Sequence, residues 1–401
     1  MPTARARTFL IAAIVLYLFA NQTQVGWLYV MSAVLAGAML TGAWLSRGML
    51  RGITGERRTG LADELYEGDP LEIELEIGKV ERPDSAHVRV TEICPLAEPD
   101  SAEHQTEIFI PSLPFQQAVR FSYRVTIDRR GLHEFPPLKL RSSAPFGFIQ
   151  QRRDLVVPTR VLVYPEVREL DGLELLDRRI APQLPRPRSG VGYEVIGVRP
   201  YRSGDSPRHI HWYSVARTGQ LISKEFADEA QPGLSLVLDL YQHPYSETES
   251  KHTPFEWAVK CAASIGDYAQ RRGYPLHLVA DDETLAVPRG PVTRWALLQY
   301  LARVQPEGER TLPQVMGELQ TFVAVILPWP DRSLVPLLVD LHARRVEVMA
   351  VVLDPASFPA GGLSGAPLVD ELRMVGIEAY LVKYGESWVS QLQSREASWQ
   401  H

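Results

Sequence analysis

From Thr8 to Ser46 the chain carries no charged residue, and the run divides at Asn21-Gln22-Thr23-Gln24 into an apolar stretch from Phe9 to Ala20 and a longer one from Val25 to Leu45. A helix of about 20 apolar residues crosses the roughly 30 Å hydrocarbon core of a bilayer. The pattern therefore predicts a membrane hairpin with helices over about 8–22 and 25–46, the first recruiting Thr8 and part of the polar turn to reach across. Arg5 and Arg7 precede the pair, and Arg47, Arg51, Arg57 and Arg58 follow it. Positive charge at both outer ends places those ends, and the soluble bulk behind them, on the cytoplasmic side of the cell membrane. A basic start and a short apolar core also resemble a signal peptide. The Phe-Ala-Asn-Gln ending lacks a small-x-small cleavage pattern, and a second apolar run follows.

At 401 residues the chain exceeds what one core organises, so two or three domains are expected. Residues 1–58 read as the hairpin. Over 59–168 apolar residues alternate with period two, as in Leu71, Ile73, Leu75 and Ile77 and again in Phe121, Tyr123, Val125 and Ile127. Turn residues separate the runs, including Arg130-Gly131-Leu132 and Ala144-Pro145-Phe146-Gly147, which predicts an antiparallel β-sandwich of immunoglobulin-like character. Residues 169–233 hold a proline- and arginine-rich linker with one short helix, then a segment dense in Gly, Arg, His and aromatics. Beyond Gly233 apolar strands alternate with amphipathic helices, as in Leu234–Leu240, Phe255–Arg272, Leu276–Ala280, Val292–Arg303 and Phe322–Leu327. That alternation predicts a doubly wound, mostly parallel α/β domain over 234–401.

A net charge of -6 argues against polyanion binding by the whole chain. Only Cys94 and Cys261 are present, in different predicted domains, which excludes a disulfide framework and a cysteine metal site. Cys261 falls on an apolar helical face, where a buried, inert thiol is expected.

The segment from 188 to 229 reads RSGVGYEVIGVRPYRSGDSPRHIHWYSVARTGQLISKEFADE. Its arginines either clamp carboxylates of neighbouring domains or form a basic site. It resembles the core motif of the domain of unknown function 58 family through Gly192 and Glu194, then Arg199, Tyr201, Gly204 and Asp205, then Arg208, Ile210 and Trp212, then Ala216, Arg217, Gly219 and Leu221. That family is defined by sequence and carries no assigned reaction. Placed after such a motif, the α/β domain resembles the von Willebrand factor A fold. The resemblance further implies a MoxR-type AAA+ ATPase partner, and with it a membrane-anchored scaffold or adaptor acting through protein contacts. Within the motif, Asp205 is expected to bracket a turn and pair with Arg208 or Arg217, and Trp212 to pack the connector against the α/β domain.

Chemistry is weakly signalled. The resemblance to a metal-binding von Willebrand A domain implies Asp-x-Ser-x-Ser after the first strand, whereas this chain reads Asp239-Leu240-Tyr241-Gln242-His243. Thr311 and Asp331 are candidates for the remaining positions, but without the serine oxygens magnesium is not expected, and no cofactor is predicted. His209 and His211 alternate across Ile210 in a short His-Ile-His-Trp strand, a geometry that holds zinc or iron if Asp205 or Glu194 supplies a third ligand. The alternative to the scaffold is accordingly a hydrolase or metal enzyme with its site in 194–217, built from Asp205, His209 and His211 with Arg217 as an oxyanion clamp. Ser203, Ser206 and Ser214 lie nearby without a nucleophile elbow. No phosphate-binding loop occurs, and Gly190-Val191-Gly192 does not join a strand to a helix. Tyr193, Tyr201, Trp212 and Tyr213 suit an aromatic packing layer better than base stacking, so no nucleic acid partner is expected.

Overall fold

The computed structural model describes residues 3–60, 64–173, 195–201, 210–226, 233–241, 250–281, 290–316, 319 and 322–393. The chain divides into two compact units, one running to residue 166 and taking in 301–303, the other comprising 167–300 and the chain from 304 onward.

The first unit opens with α1 (Ala4–Thr23) and α2 (Gly26–Ser46). Both are long and apolar enough to cross a membrane. Helix α1 starts earlier than the charge pattern predicts because the Thr3 side chain accepts the Ala6 N–H at 3.3 Å, which carries Arg5 and Arg7 onto the first turns. The connecting turn shortens to Gln24 and Val25, with Gln24 at φ 56 closing α1 in the left-handed region. The buried positions of the pair are mostly small residues: Ala6, Ala13 and Ala20 of α1, and Ser32, Gly42 and Ser46 beside Leu28 of α2. Ser32 Oγ donates to the Ala13 carbonyl at 2.9 Å, joining the two helices. Large apolar side chains point away all round, among them Phe19, Trp27, Val30, Val34, Leu40 and Trp44. Small residues inside and bulky apolar residues outside are what helix packing in lipid favours, since only close backbone approach holds such helices together.

Next come β1 (Ile53–Thr59), β2 (Pro70–Lys79), β3 (Ser85–Ile93), β4 (Gln105–Leu113), β5 (Ala118–Thr126), β6 (Gly131–Glu134), β7 (Leu138–Ser142), β8 (Gln151–Leu155) and β9 (Arg160–Val163). They form an antiparallel three-stranded sheet β1-β2-β5, a four-stranded sheet β4-β3-β7-β8 and a ribbon β6-β9. Inward residues of the two larger sheets share one core, with Ile53, Leu75 and Ile77 meeting Val88, Val90, Ile110 and Leu140. Leu71, Ile73, Leu75 and Ile77 are all buried, as the period-two pattern predicts.

The first strand opens at Ile53, inside the segment read as the hairpin's basic flank. Strand alternation then turns Ile53, Gly55 and Arg57 inward and Arg58 outward. Arg57 is therefore not a membrane-flanking charge. It is buried beneath Phe135, with its guanidinium carbon 4.2 Å from the ring centroid.

The turn after α2 is held by cations. Buried Lys79 donates to the carbonyls of Gly48 at 3.4 Å, Met49 at 3.2 Å and Arg51, and Arg153 Nη1 donates to Leu50 O at 2.6 Å. Ser85 Oγ donates to Met49 O. On the other side, the β7–β8 loop lies against the outer ends of both helices. Thr3 N donates to Phe148 O at 2.9 Å, Thr3 Oγ1 donates to Gly147 O at 2.6 Å, and the Phe9 and Phe148 rings meet at 5.0 Å. A Cβ added at Gly42 would sit 3.1 Å from both Phe146 and Phe148, so glycine there lets the loop close on α2.

In the second unit, the start of the stretch read as a proline- and arginine-rich linker is buried. Leu170 and Leu173 are 2% and 1% exposed, and the Leu173 N–H donates to Tyr268 Oη at 3.4 Å. Residues 174–194, most of the stretch in which one short helix is expected, lie outside the described residues. Strand β10 (Val195–Pro200) pairs antiparallel with β11 (Ile222–Phe226), and α3 (Trp212–Thr218) lies between them in the chain. The rest alternates as predicted: β12 (Leu234–Leu238), α4 (Pro254–Arg271), β13 (Leu276–Ala280), α5 (Arg294–Arg303), α6 (Leu312–Val315), β14 (Phe322–Leu327), α7 (Val335–Ala343), β15 (Glu347–Leu353), α8 (Ala366–Met374), β16 (Glu378–Val382) and α9 (Trp388–Gln393). The sheet order is β13-β12-β14-β15-β16, parallel throughout. Chain connections run outward in opposite directions from β12 and β14. In doubly wound sheets that reversal opens a crevice at the carboxyl ends of the two strands. Cys261 on α4 is fully buried, and burial pushes its thiol up to about 12, so it is inert as expected.

Candidate functional site

Two places combine functional side chains with the architecture to present them: the carboxyl edge of the parallel sheet, and the unit formed by β10, α3 and β11.

At the sheet edge, four strands each end in an aspartate: Asp239 after β12, Asp281 after β13, Asp331 shortly after β14 and Asp354 after β15. Asp239 is 8% exposed and its Oδ1 accepts the Tyr241 N–H at 3.1 Å. Burial lifts its carboxyl to about 6. The Tyr241 N–H opposes that rise, and the charges of Asp331 and Asp281 add to it. The other three carboxylates have structural partners. Asp281 is ion-paired with Arg310 at 2.5 Å and also accepts the Arg310 backbone N–H at 2.7 Å. Asp331 accepts both the N–H and the Oγ–H of Ser333 at 2.8 Å, closing a short 3-10 turn, and Asp354 accepts the Gly365 N–H at 2.9 Å. Thr311 opens α6 in a capping box with Gln314. Thr311 and Asp331, the two other candidate metal ligands, thus each cap a local turn. Among the described residues, no group of three or more His, Cys, Asp and Glu is placed to hold a metal ion.

In the motif, Gly192, Glu194, Gly204, Asp205, Arg208 and His209, together with Ser203 and Ser206, lie outside the described residues. Arg199 is on β10, paired in register with Ser223, and the Tyr201 N–H donates to Leu221 O at 2.9 Å. The expected His-Ile-His-Trp strand is a single bridge, Ile210 to Ser223. The His211 N–H donates to Ile222 O at 2.8 Å, closing that bridge, while its carbonyl accepts the N–H groups of Ser214 and Val215 at 2.9 and 3.1 Å and starts α3. Its Nδ1 sits 2.7 Å from Ser214 Oγ. The pairing with β11 ends at His211, which caps α3. Ala216 and Arg217 ride on α3, and Gly219 ends it at φ 69, the left-handed cap that glycine adopts without strain.

Trp212 does not pack the connector inward. It opens α3 and is 64% exposed, and Tyr213 beside it is 76% exposed. Neither side chain of the seven-residue helix α3 is buried against a neighbouring element, and Val198 and Leu221 of the same unit are also exposed. The helix has only seven residues, about two turns, and ends at Gly219, so it offers little surface to bury.

Two apolar N-terminal helices, an antiparallel β-sheet domain and a C-terminal parallel α/β sheet define the class of chain. Within it, residues 197–324 match the family described as "Protein of unknown function DUF58". The uncharacterized protein YeaD of Bacillus subtilis (strain 168) is 25% identical over 161 residues, a match covering 38% of this chain and 36% of YeaD. The chain thus matches only about a third of that relative's length. Among solved structures, a β-N-acetylglucosaminidase from Vibrio harveyi aligns over 80% of this chain and 59% of its own, at 11% identity and a TM-score of 0.22. A β-glucosidase from Listeria innocua aligns over 26% and 16%, at 15% identity and a TM-score of 0.14. Likenesses at those scores establish neither fold nor chemistry.

Proposed function

We propose that this protein is a membrane-anchored scaffold or adaptor of the cytoplasmic face, and that it works by binding another protein through α3. The observation that carries this reading is the exposure of Trp212 and Tyr213, side by side on a short helix, with Val198 and Leu221 exposed in the same unit. Exposed tryptophan and tyrosine are the side chains that most often anchor protein interfaces. The resemblance to the domain of unknown function 58 family supplies the class of partner, a MoxR-type AAA+ ATPase. Anchoring is supported by the hairpin's small buried residues and bulky apolar exterior. Cytoplasmic orientation is supported by Arg5 and Arg7 at the start of α1 and by Arg47 and Arg51 after α2. The strand order β1-β2-β5 over β4-β3-β7-β8 supports an immunoglobulin-like sandwich. A five-stranded parallel sheet with aspartates at its carboxyl edge supports a degenerate von Willebrand A-like domain.

Purification of the full chain from its own membranes in mild detergent, with mass spectrometry of what accompanies it, tests the reading. An AAA+ ATPase recovered with the native chain and lost with Trp212→Ala/Tyr213→Ala supports it. Equal recovery with both chains removes α3 as the docking surface, and recovery of no protein removes the scaffold.

A further inference from the structure

We infer that the hairpin-proximal end of the sheet β4-β3-β7-β8 is a binding face for anionic lipid headgroups, an inference that rests on the membrane-anchored reading of α1 and α2. In this sheet Phe109 of β4, Arg89 of β3, Arg141 of β7 and Arg152 of β8 are direct cross-strand partners, so their side chains share the outer face in one row. All four are exposed. Like charges on directly opposed residues destabilise a sheet, and strands about 4.8 Å apart bring the three arginines close together. The row has little internal compensation. Arg89 reaches Glu107 only at 3.5 Å, Arg152 hydrogen-bonds the neutral Gln150 at 2.9 Å, and Arg141 has no carboxylate at ion-pair distance among the described residues.

Charge changes along the sheet. The next outward row, Glu107, Thr91, Lys139 and Asp154, is mixed in sign. On the outer face of the partner sheet Arg120 pairs with Glu76 and Arg58 with Glu56, both at 2.9 Å, and Arg124 stands in register with Glu72. On the outer face of this sheet the poorly compensated arginines among the described residues thus share one row, and its place names the occupant. Strands β7 and β8 run from Arg141 and into Arg152 through the loop whose Gly147 and Phe148 carbonyls hold Thr3 and whose Phe146 and Phe148 rings lie over Gly42 of α2. That loop sits where both helices leave the apolar layer, and Phe146 remains 53% exposed there. An aromatic side chain at that level, with Arg5, Arg7, Arg47 and Arg51 near the same helix ends, matches the interfacial zone of a bilayer. Arginine forks suit phosphate oxygens, and basic residues beside a membrane anchor bind anionic leaflets through them. A lipid surface fits the row better than an acidic polypeptide, because the row is continuous with the membrane contact of the loop.

The test uses the full chain, first reconstituted into phosphatidylcholine vesicles and then, in mild detergent, titrated with phosphatidylglycerol or phosphatidylcholine and read by native mass spectrometry. Arg89→Gln/Arg141→Gln/Arg152→Gln is expected to lower phosphatidylglycerol affinity by about 100-fold with phosphatidylcholine binding unchanged. The control Arg58→Gln/Arg120→Gln/Arg124→Gln on the partner sheet is expected to leave both unchanged. The row variant should melt at the same temperature or higher, since like-charge repulsion is removed. Equal binding of the two lipids overturns the inference and leaves the row to an acidic polypeptide. Equal loss with the control, or displacement of the lipid by inorganic phosphate at equal concentration, overturns it too. A native chain that fails to enter phosphatidylcholine vesicles overturns instead the anchoring on which the inference rests.

Discussion

Arg57 Nε donates to Glu92 Oε1 at 2.7 Å inside the sandwich, with the two side chains 0% and 1% exposed. Arg57 also donates through Nη1 to the Val157 carbonyl at 3.0 Å and to Thr159 Oγ1 at 3.1 Å, so one cation ties β1 to β3 and to the chain between β8 and β9. Removing one partner of such a pair leaves the other charged and buried. Arg57→Ala should therefore destabilise the first unit by about 3–5 kcal/mol, whereas Arg57→Met/Glu92→Leu should recover most of the loss. Urea unfolding of the full chain in detergent, read by hydrogen exchange of β1 and β3, checks both. A single variant as stable as the native chain would show that the pair does not hold the sandwich.

Asp239 makes the stability of the second unit depend on pH. Between the ordinary carboxylate value of 3.8 and about 6, the folded chain holds a proton on Asp239 that the unfolded chain has released. Stability conferred by that proton falls as pH rises through the window, and above it the ionised carboxylate costs about 3 kcal/mol. Asp239→Asn keeps an acceptor for the Tyr241 N–H and removes the charge. It should flatten the dependence between about pH 4 and pH 6 and stabilise the unit at pH 7, as seen by proteolysis of 234–393 in graded urea. An unchanged slope would assign the dependence to other groups.

Trp212→Ala and Tyr213→Ala should leave melting within about 0.5 kcal/mol of the native chain, because neither ring is buried. Lost partner recovery with unchanged melting separates a binding role from a structural one. A large drop in melting temperature would mean that α3 supports the fold.

Orientation is open to a thiol assay. Cys94 and Cys261 are buried at 1% and 0%, and burial raises both thiols, so background labelling should be low. Gln22→Cys, near the hairpin turn, should react with an impermeant maleimide from outside intact cells, and a cysteine on a C-terminal tag should not. The reverse pattern would invert the topology.

Lys79→Met tests the joint between hairpin and sandwich. The lysine is desolvated, which lowers its pKa, and it donates to three carbonyls of the turn after α2. Methionine fills the space and removes the ammonium from Arg51 O, while Gly48 O keeps the Arg51 N–H and Met49 O keeps the Ser85 hydroxyl, so a loss of about 1 kcal/mol is expected in urea unfolding of the first unit. No loss would show that water replaces the ammonium.

Much of the fold is legible in residue pattern, because burial imposes a period. Leu71 to Ile77 alternate because one face of β2 meets the core, and β12 and β14 are buried throughout and apolar but for Ser235, because helices cover both faces of the parallel sheet. Single charged or aromatic side chains carry no such period. Arg57 and Arg58 are neighbours of identical chemistry, yet the start of β1 at Ile53 sends one into the core and the other to solvent. Trp212 reads as a core residue by hydrophobicity and is exposed by its place on a helix too small to bury it.

The residue order alone determined the apolar hairpin, the alternating sandwich strands, the parallel α/β sheet and the inertness of Cys261, because each follows from local periodicity or from the charge a segment lacks. Tertiary structure decided which charges meet. It paired Arg57 with Glu92, set three arginines from β3, β7 and β8 in one row, and brought the carboxyl ends of β12, β13 and β14 close enough for Asp239 to feel Asp281 and Asp331. Those contacts join residues tens of positions apart, and their strength depends on distance and burial, quantities that only the folded chain possesses.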